Sequence, residues 1–409
     1  MKPTLWTKNF TIITLGTVAS AIGGSAMNFA LSLVVYDQSQ STFLTGLFSA
    51  VALLPQLVLP LVAGPWLDRF RRKPIIVGLD FLSGLLYLIF GAYLLGAPFQ
   101  FSLYLIFAFV VGCIGAVYEL AYTSLYPNLI PEGFSQKGYT VSGMIYPTVT
   151  VLITPAAAFF YVRFGLPAIC LGEGVLLLLS SLLETQIRVK EKVGERRSFC
   201  WQEYRNDLAQ AWQYLKKQKG LLRIYGYMPI TQGIGMGCST LLVAWFQSTP
   251  GLGAERYSLF TAAEFVGRTL GGVVHYRFEI PAKRRFSFAY FVYQLYSVMD
   301  GILLLLPYPL MMLNRAICGF LGINSATLRE SSVQNYIPDH IRAKLNSFFS
   351  MLMGASVVVF RLLIGAVGEI FPAPACVLFF AVLNIVLCYL IVYRGSGKTD
   401  VQQVYNHIY

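Results

Sequence analysis

The sequence predicts an all-α membrane protein with twelve transmembrane helices in two parallel-repeat six-helix bundles. Three observations predict it. The chain of 409 residues is 56% hydrophobic and only 12% charged, about half the charge content of a soluble globular domain. Twelve segments reach or approach the roughly 20 apolar residues a helix needs to cross a bilayer. Sliding the chain against itself by 207 residues superimposes the connection after the fourth segment on the connection after the tenth.

The segments lie at about 10–36, 43–67, 74–95, 101–125, 138–161, 166–186, 222–247, 257–276, 286–306, 309–329, 345–369 and 374–393. Turn residues punctuate them at Gly96-Ala97-Pro98, Phe164-Gly165, Pro250-Gly251, Pro307-Tyr308-Pro309 and Phe371-Pro372. Connections this short join antiparallel neighbours. The first segment follows only Met1 to Asn9, is too long for a signal-peptide core and lacks an A-x-A-like cleavage site, so it is expected to be retained as a span.

Charge placement predicts orientation. Lys and Arg number 31 against 19 Asp and Glu, a net +12. Of the 31, 26 lie before span one, after span twelve or in the connections on that same side. The other side carries only Arg163 and Arg256, and Arg268, Arg315 and Arg361 fall inside spans. The positive-inside rule then puts both termini in the cytoplasm, with the chain crossing the cell's inner (plasma) membrane. Nucleic acid is not expected as a partner, because the basic residues are divided among short loops. Seven cysteines without a C-x-x-C pair and three histidines give no disulfide framework, metal site or cofactor.

The predicted organisation is a first bundle over 1–186, a cytoplasmic linker over 187–221, a second bundle over 222–393 and a cytoplasmic tail over 394–409. In the linker Trp201, Tyr204, Leu208, Trp212 and Leu215 recur at helical spacing, which predicts an amphipathic helix strapping the halves. The repeat rests on identities: Ser124, Asn128, Ile130, Pro131, Lys137 and Met144 fall on Ser331, Asn335, Ile337, Pro338, Lys344 and Met351. Parallel repeats of this kind flank a central cavity.

At the end of span two stands Gly64-Pro65-Trp66-Leu67-Asp68-Arg69-Phe70-Arg71-Arg72-Lys73. This resembles the G-x-L-a-D-R-x-G-R-K signature of the major facilitator superfamily, matching at Gly64, Asp68, Arg69, Arg72 and Lys73. Arg71 replaces the usual Gly, as in the branch of enterobactin exporters and macrolide efflux proteins. The resemblance implies that Asp68 faces the start of span eleven near Lys344 to Ser347, and that Glu119 partners Arg72, latching the outward-facing state. A carboxylate at a helix N-terminus gains from the helix dipole. The second-half equivalent of Asp68 is His275, so a one-sided latch is expected.

Ionisable residues inside spans are functional candidates because burying them is costly. Glu264 and Arg268 form an i,i+4 pair on span eight, Arg361 lies inside span eleven, and Arg315 sits in the outer part of span ten. Arg361 needs a partner on another helix, a lipid or an anionic substrate. Asn28 and Gln232 are polar groups near mid-depth, and Tyr118, Tyr122 and Tyr146 are candidates to line the cavity. Asp80 falls near the cytoplasmic end of span three, while Asp37, Glu184, Asp300, Glu330 and Glu369 are expected at solvated span ends.

No G-x-x-x-x-G-K-[ST] loop is present, and no Ser/His, paired Asp or His/Glu metal constellation points to an enzyme. The expectation is a secondary active transporter working by alternating access, an exporter of amphipathic small molecules, drug-like or siderophore-like. Its partners are the substrate, the bilayer and a proton or other ion gradient, and it is expected to act as a monomer. Proton antiport follows from the resemblance, with Glu119 or Glu264 as carrier, although Thr154-Pro155-Ala156-Ala157-Ala158 departs from the antiporter signature of span five. A lysolipid transporter or flippase on the same fold, or a non-transporting receptor or assembly factor, are the competing readings.

Overall fold

The computed structural model describes residues 4–67, 70–131, 134–189, 201–277 and 280–406. Every regular element among them is helical: α1 Lys8–Ser39, α2 Thr42–Leu67, α3 Arg72–Leu94, α4 Phe101–Leu125, α5 Ser135–Glu184, α6 Trp201–Lys217, α7 Lys219–Ser248, α8 Ala254–Arg277, α9 Ala282–Ile302, α10 Tyr308–Tyr336, α11 Asp339–Ile370, α12 Ala373–Cys388 and α13 Gly397–Tyr405. Short 3₁₀ turns follow α4 and α9, and α12 runs on into a π-helical turn, Tyr389–Tyr393.

The expected fifth and sixth spans form one 50-residue element, α5, with a reversal at Gly165 (φ 75°, ψ −179°). That backbone conformation is open to glycine and strained for other residues, so the predicted Phe164-Gly165 turn is where the two spans part. Among the described residues, eight helical stretches are long and apolar enough to cross a membrane, one being Met144–Glu184, which holds both of these spans. The expected spans at 222–247, 257–276 and 309–329 are long helices, α7, α8 and α10, but are less apolar. On α8 and α10 the apolarity is lowered by charged residues that face one another, as described below.

The chain divides into two compact units. One comprises Met1–Gln40, Val51–Phe199 and Pro250–Ser258; the other comprises Ser41–Ala50, Cys200–Thr249 and Leu259–Tyr409. The first has a core around Phe10, Ile13, Ile76, Leu125, Tyr126 and Ile187. Its first helix is capped by Thr7, whose hydroxyl accepts from the Phe10 N–H at 3.3 Å. The second has a core around Leu215, Leu221, Tyr227, Phe286, Leu345 and Val392, to which Val401, Val404 and Tyr405 of α13 belong. Large apolar side chains such as Ile89, Leu152 and Ile370 are exposed, as surfaces facing lipid require.

The internal duplication is visible in the backbone. Ile130 has φ −85° and ψ 125°, and its repeat partner Ile337 has φ −84° and ψ 125°. Both residues end a helix and turn the chain into an extended step before a proline, a conformation the following Pro131 or Pro338 favours.

The linker helix is present as α6. Ala211 and Leu215 are fully buried, and Lys344 Nζ donates to Gln210 Oε1 at 2.7 Å, so α6 packs on α11 within the second unit. Trp212 remains exposed, covered in part by the Lys216 ammonium 5.2 Å from its ring centroid. The C-terminal residues fold as well. Asp400 of α13 pairs with Arg223 at 3.4 Å, and Arg223 donates to the Ile391 carbonyl at 2.7 Å.

Candidate functional site

The main concentration of charge in the second unit joins three helices. Arg315 of α10 donates from Nη1 to Asp300 Oδ1 of α9 at 3.0 Å. Its Nε lies 4.0 Å from Glu264 Oε2 of α8, and Glu264 Oε1 lies 3.6 Å from Arg268 Nη1. Two acids and two bases thus alternate in a neutral chain. The Arg315 guanidinium also sits 5.2 Å from the Phe260 ring centroid, a stacked cation–π contact.

Glycine lets α8 and α10 approach closely enough for this. A Cβ at Gly319 would stand 2.0 Å from the Glu264 carbonyl oxygen, and one at Gly267 would stand 1.8 Å from that of Ala316. The sequence pairing of Glu264 with Arg268 therefore holds, but as part of a longer network. Asp300 was expected at a solvated span end; it is half-buried because Arg315 draws it inward. Glu184, with the same expectation, is fully buried because it points into the helix core of the first unit.

Arg361 is half-buried on α11, where its carbonyl would lie 2.5 Å from a Cβ at Gly46. Gln232 and Asn28 are exposed. The glycines beside Gln232 pack α7 on α11, since a Cβ at Gly233 would meet Phe360 Cδ2 at 2.5 Å. Glu369 is exposed yet engaged: its Oε1 accepts from the Ser41 hydroxyl at 2.6 Å, the Thr42 hydroxyl at 3.1 Å and the Phe43 N–H at 2.8 Å. It caps the start of α2.

Of the signature, Asp68 and Arg69 lie outside the described residues, and Gly64 is within the last turns of α2. Arg72 opens α3, and Lys73 donates from Nζ to the Thr185 carbonyl at 2.7 Å, tying α3 to the end of α5. Glu119 is exposed on α4.

A cavity of about 550 Å³ opens between α7, α10 and α11. Tyr225, Phe349 and Met353 give it apolar walls, and Arg329, Glu330 and Gln334 give it polar ones. The Tyr225 and Phe349 rings are 4.4 Å apart between centroids. Gln334 donates to Glu330 at 3.1 Å and to Asn346 at 3.0 Å.

Sequence reasoning passed over three groups. Glu173, only 4% exposed, was hidden inside the most apolar stretch of span six. Asn384 of α12 donates to Thr231 at 3.0 Å and Ser297 at 2.9 Å, clamping α7 and α9. The link from Arg315 to Asp300 needed knowledge of which helices are neighbours. The visible signal for Glu173 and Asn384 was a lone polar residue in an apolar run.

The family model of the Major Facilitator Superfamily matches residues 13–299. The chain is 26% identical over 282 residues to the MFS-type transporter YkuC of Bacillus subtilis (strain 168), covering 65% of this chain and 64% of that one. It is 24% identical over 242 residues to Macrolide efflux protein A of Streptococcus pyogenes, covering 55% and 57%. The matched stretch spans less than two thirds of either relative's length. In structure it is similar to a mutant of the nucleoside transporter NupG, with TM-score 0.72, 12% identity, and 94% and 99% of the two chains covered. A bacterial homologue of the iron transporter ferroportin in an inward-facing state gives TM-score 0.66 at 16% identity, covering 94% and 98%. At these identities the likeness is one of fold. Together with the matched family model and the helical architecture, it shows that the chain belongs to the major facilitator superfamily.

Proposed function

We propose that the protein exports amphipathic small molecules by alternating access, driven by proton antiport, as a monomer in the inner (plasma) membrane with both termini cytoplasmic. The observation that carries this reading is the cavity between α7, α10 and α11. Its aromatic walls from Tyr225 and Phe349 and its adjacent Arg329 and Glu330 suit a molecule with an apolar body and a polar or charged end. The similarity to Macrolide efflux protein A supports outward transport. The neutral Arg268–Glu264–Arg315–Asp300 chain supports a role in switching, because a substrate charge that pairs with one member frees another. In this reading Asp68, Arg69, Arg72, Lys73 and Glu119 serve gating, whereas Asn28, Gln232 and Arg361 line the substrate path.

The test is transport in proteoliposomes holding the full chain, with an imposed pH gradient and a panel of macrolides, siderophores and lysolipids. Gradient-dependent movement of a macrolide or siderophore is expected. Movement of lysolipid alone would favour a lipid transporter, and no gradient dependence for any compound would overturn the antiport reading.

A further inference from the structure

The first unit buries three acids of its own. Asp80 of α3 is 4% exposed, Glu173 of α5 4% and Glu184 of α5 0%. Glu173, Ser180 and Glu184 share one face of the second arm of α5, and Asp80, Ser83 and Tyr87 share one face of α3. Helix α1 meets them with glycine: a Cβ at Gly23 would fall 1.2 Å from Glu173 Oε2, and one at Gly16 would fall 2.9 Å from Glu184 Oε1 and 3.0 Å from Ser180 Oγ.

Asp80 Oδ2, Glu173 Oε2 and both Glu184 carboxyl oxygens are buried without a hydrogen-bond partner. Among them the Ser180 hydroxyl is fully buried, makes no well-formed hydrogen bond and faces the Asp80 and Glu184 carboxyls. None of the three carboxyls has an ion pair among the described residues. The other titratable groups facing them are Tyr87 of α3, Tyr118 and Tyr122 of α4, and Tyr146 and Cys170 of α5. Helix α1 contributes Gly16, Thr17, Ser20 and Gly23 on this side, none of which titrates. Lys73, on the rim, directs its Nζ to the Thr185 carbonyl.

The duplication supplies an internal comparison. At the same offset of 207, Asp80, Glu173 and Glu184 correspond to Ser287, Phe380 and Ile391. The second bundle closes the same architecture without acids there, so packing alone does not call for them. An ionised carboxylate without a counter-charge is heavily penalised in a membrane interior, and binding a proton removes the penalty.

We infer that Asp80, Glu173 and Glu184 form a proton-holding site within the first bundle, with Ser180 and Tyr118 as relay hydroxyls. Further hydroxyls adjoin the site: the Tyr118 ring stacks on that of Tyr122 with centroids 6.1 Å apart, and the Tyr122 hydroxyl lies 3.0 Å from Thr17 Oγ1. The step is a proton transfer without redox change: an O–H bond of a hydronium or water entering from one face breaks as an O–H bond forms on a carboxylate oxygen, and that bond in turn breaks as the proton passes to a water on the other face. The inference rests on the antiport reading and names its proton carrier.

Infrared pH-difference spectra of the full chain in nanodiscs test it without a substrate. Carboxylic C=O bands that respond to bulk pH are expected in the parent, with one component lost in each of Asp80→Asn, Glu173→Gln and Glu184→Gln and restored in Glu184→Asp. Bands that persist in all three variants, or are absent from the parent, overturn the site. In proteoliposomes with a radiolabelled macrolide, Glu184→Gln is expected to keep counterflow but lose gradient-driven accumulation. A parent that moves the macrolide without protons overturns the antiport reading, whereas full accumulation by the variant combining Asp80→Asn, Glu173→Gln and Glu184→Gln overturns only the carrier assignment.

Discussion

Arg315 binds Asp300 at 3.0 Å, and this contact on α10 and α9 anchors a chain of charges that Glu264 extends to α8. Removing Asp300 leaves the buried Arg315 with only the longer 4.0 Å contact to Glu264, whereas removing both replaces charge by packing. Asp300→Asn should lower stability by about 3 kcal/mol, the low end for a broken buried pair because Asp300 retains some exposure. The double variant Asp300→Leu/Arg315→Met should recover most of that. Thermal unfolding of the purified chain in detergent checks both, and additive losses in the double variant would contradict the pairing.

Gly23 is predicted to be intolerant of the smallest side chain. A Cβ there overlaps Glu173 Oε2, and the carboxyl, itself buried, must shift within a packed interior to make room. Gly23→Ala should therefore destabilise by about 1–3 kcal/mol through overpacking. Combining it with Glu173→Ala, which vacates the space, should restore the apparent melting temperature toward that of Glu173→Ala alone. Non-additivity of this sign is the signature of direct contact.

What was legible in the sequence was whatever acts locally. Apolar run length gave the spans, Lys and Arg placement gave an expected orientation, and the offset of 207 gave a repeat that Ile130 and Ile337 express in matching dihedrals. The i,i+4 pair of Glu264 and Arg268 was readable because helix geometry fixes it. Asp300 and Glu184 were misplaced because depth counted along a helix says nothing of which face a residue occupies. Arg315 finds Asp300 only through the α9–α10 contact, and Glu173 is accommodated only because α1 offers Gly23. Such relations are tertiary, and a hydropathy window averages them away.

The C-terminal helix should contribute to stability of the second unit. Tyr405 is buried, its hydroxyl meets that of Tyr293, and burial first, with Tyr293 second, holds its phenol well above the ordinary value. A raised acid favours the folded state while the phenol is neutral. This contribution is complete below the free phenol value near pH 10 and is lost as pH rises through the higher folded value. Tyr405→Phe should cost about 1 kcal/mol at neutral pH and flatten the alkaline decline in stability. A pH series of melting curves measures this.

Glu264 lies between Arg268 and Arg315, so Glu264→Gln leaves one acid facing two guanidiniums and gives the network a net positive charge. Binding of an anionic probe should then strengthen and that of a cationic one weaken, each by roughly tenfold, or about 1.4 kcal/mol. Arg361→Ala should act in the opposite sense, weakening anionic probes more than neutral ones, since a guanidinium stays charged at any accessible pH. Fluorescent anionic and cationic dyes titrated against the full chain separate the two variants. Gradient-driven transport adds the decisive readout: if Glu264→Gln loses it while keeping counterflow, Glu264 carries the proton and the first-bundle carboxyls do not. If Glu264→Gln instead changes charge preference and keeps gradient-driven accumulation, the second unit selects the substrate, and the coupled proton resides with Asp80, Glu173 and Glu184.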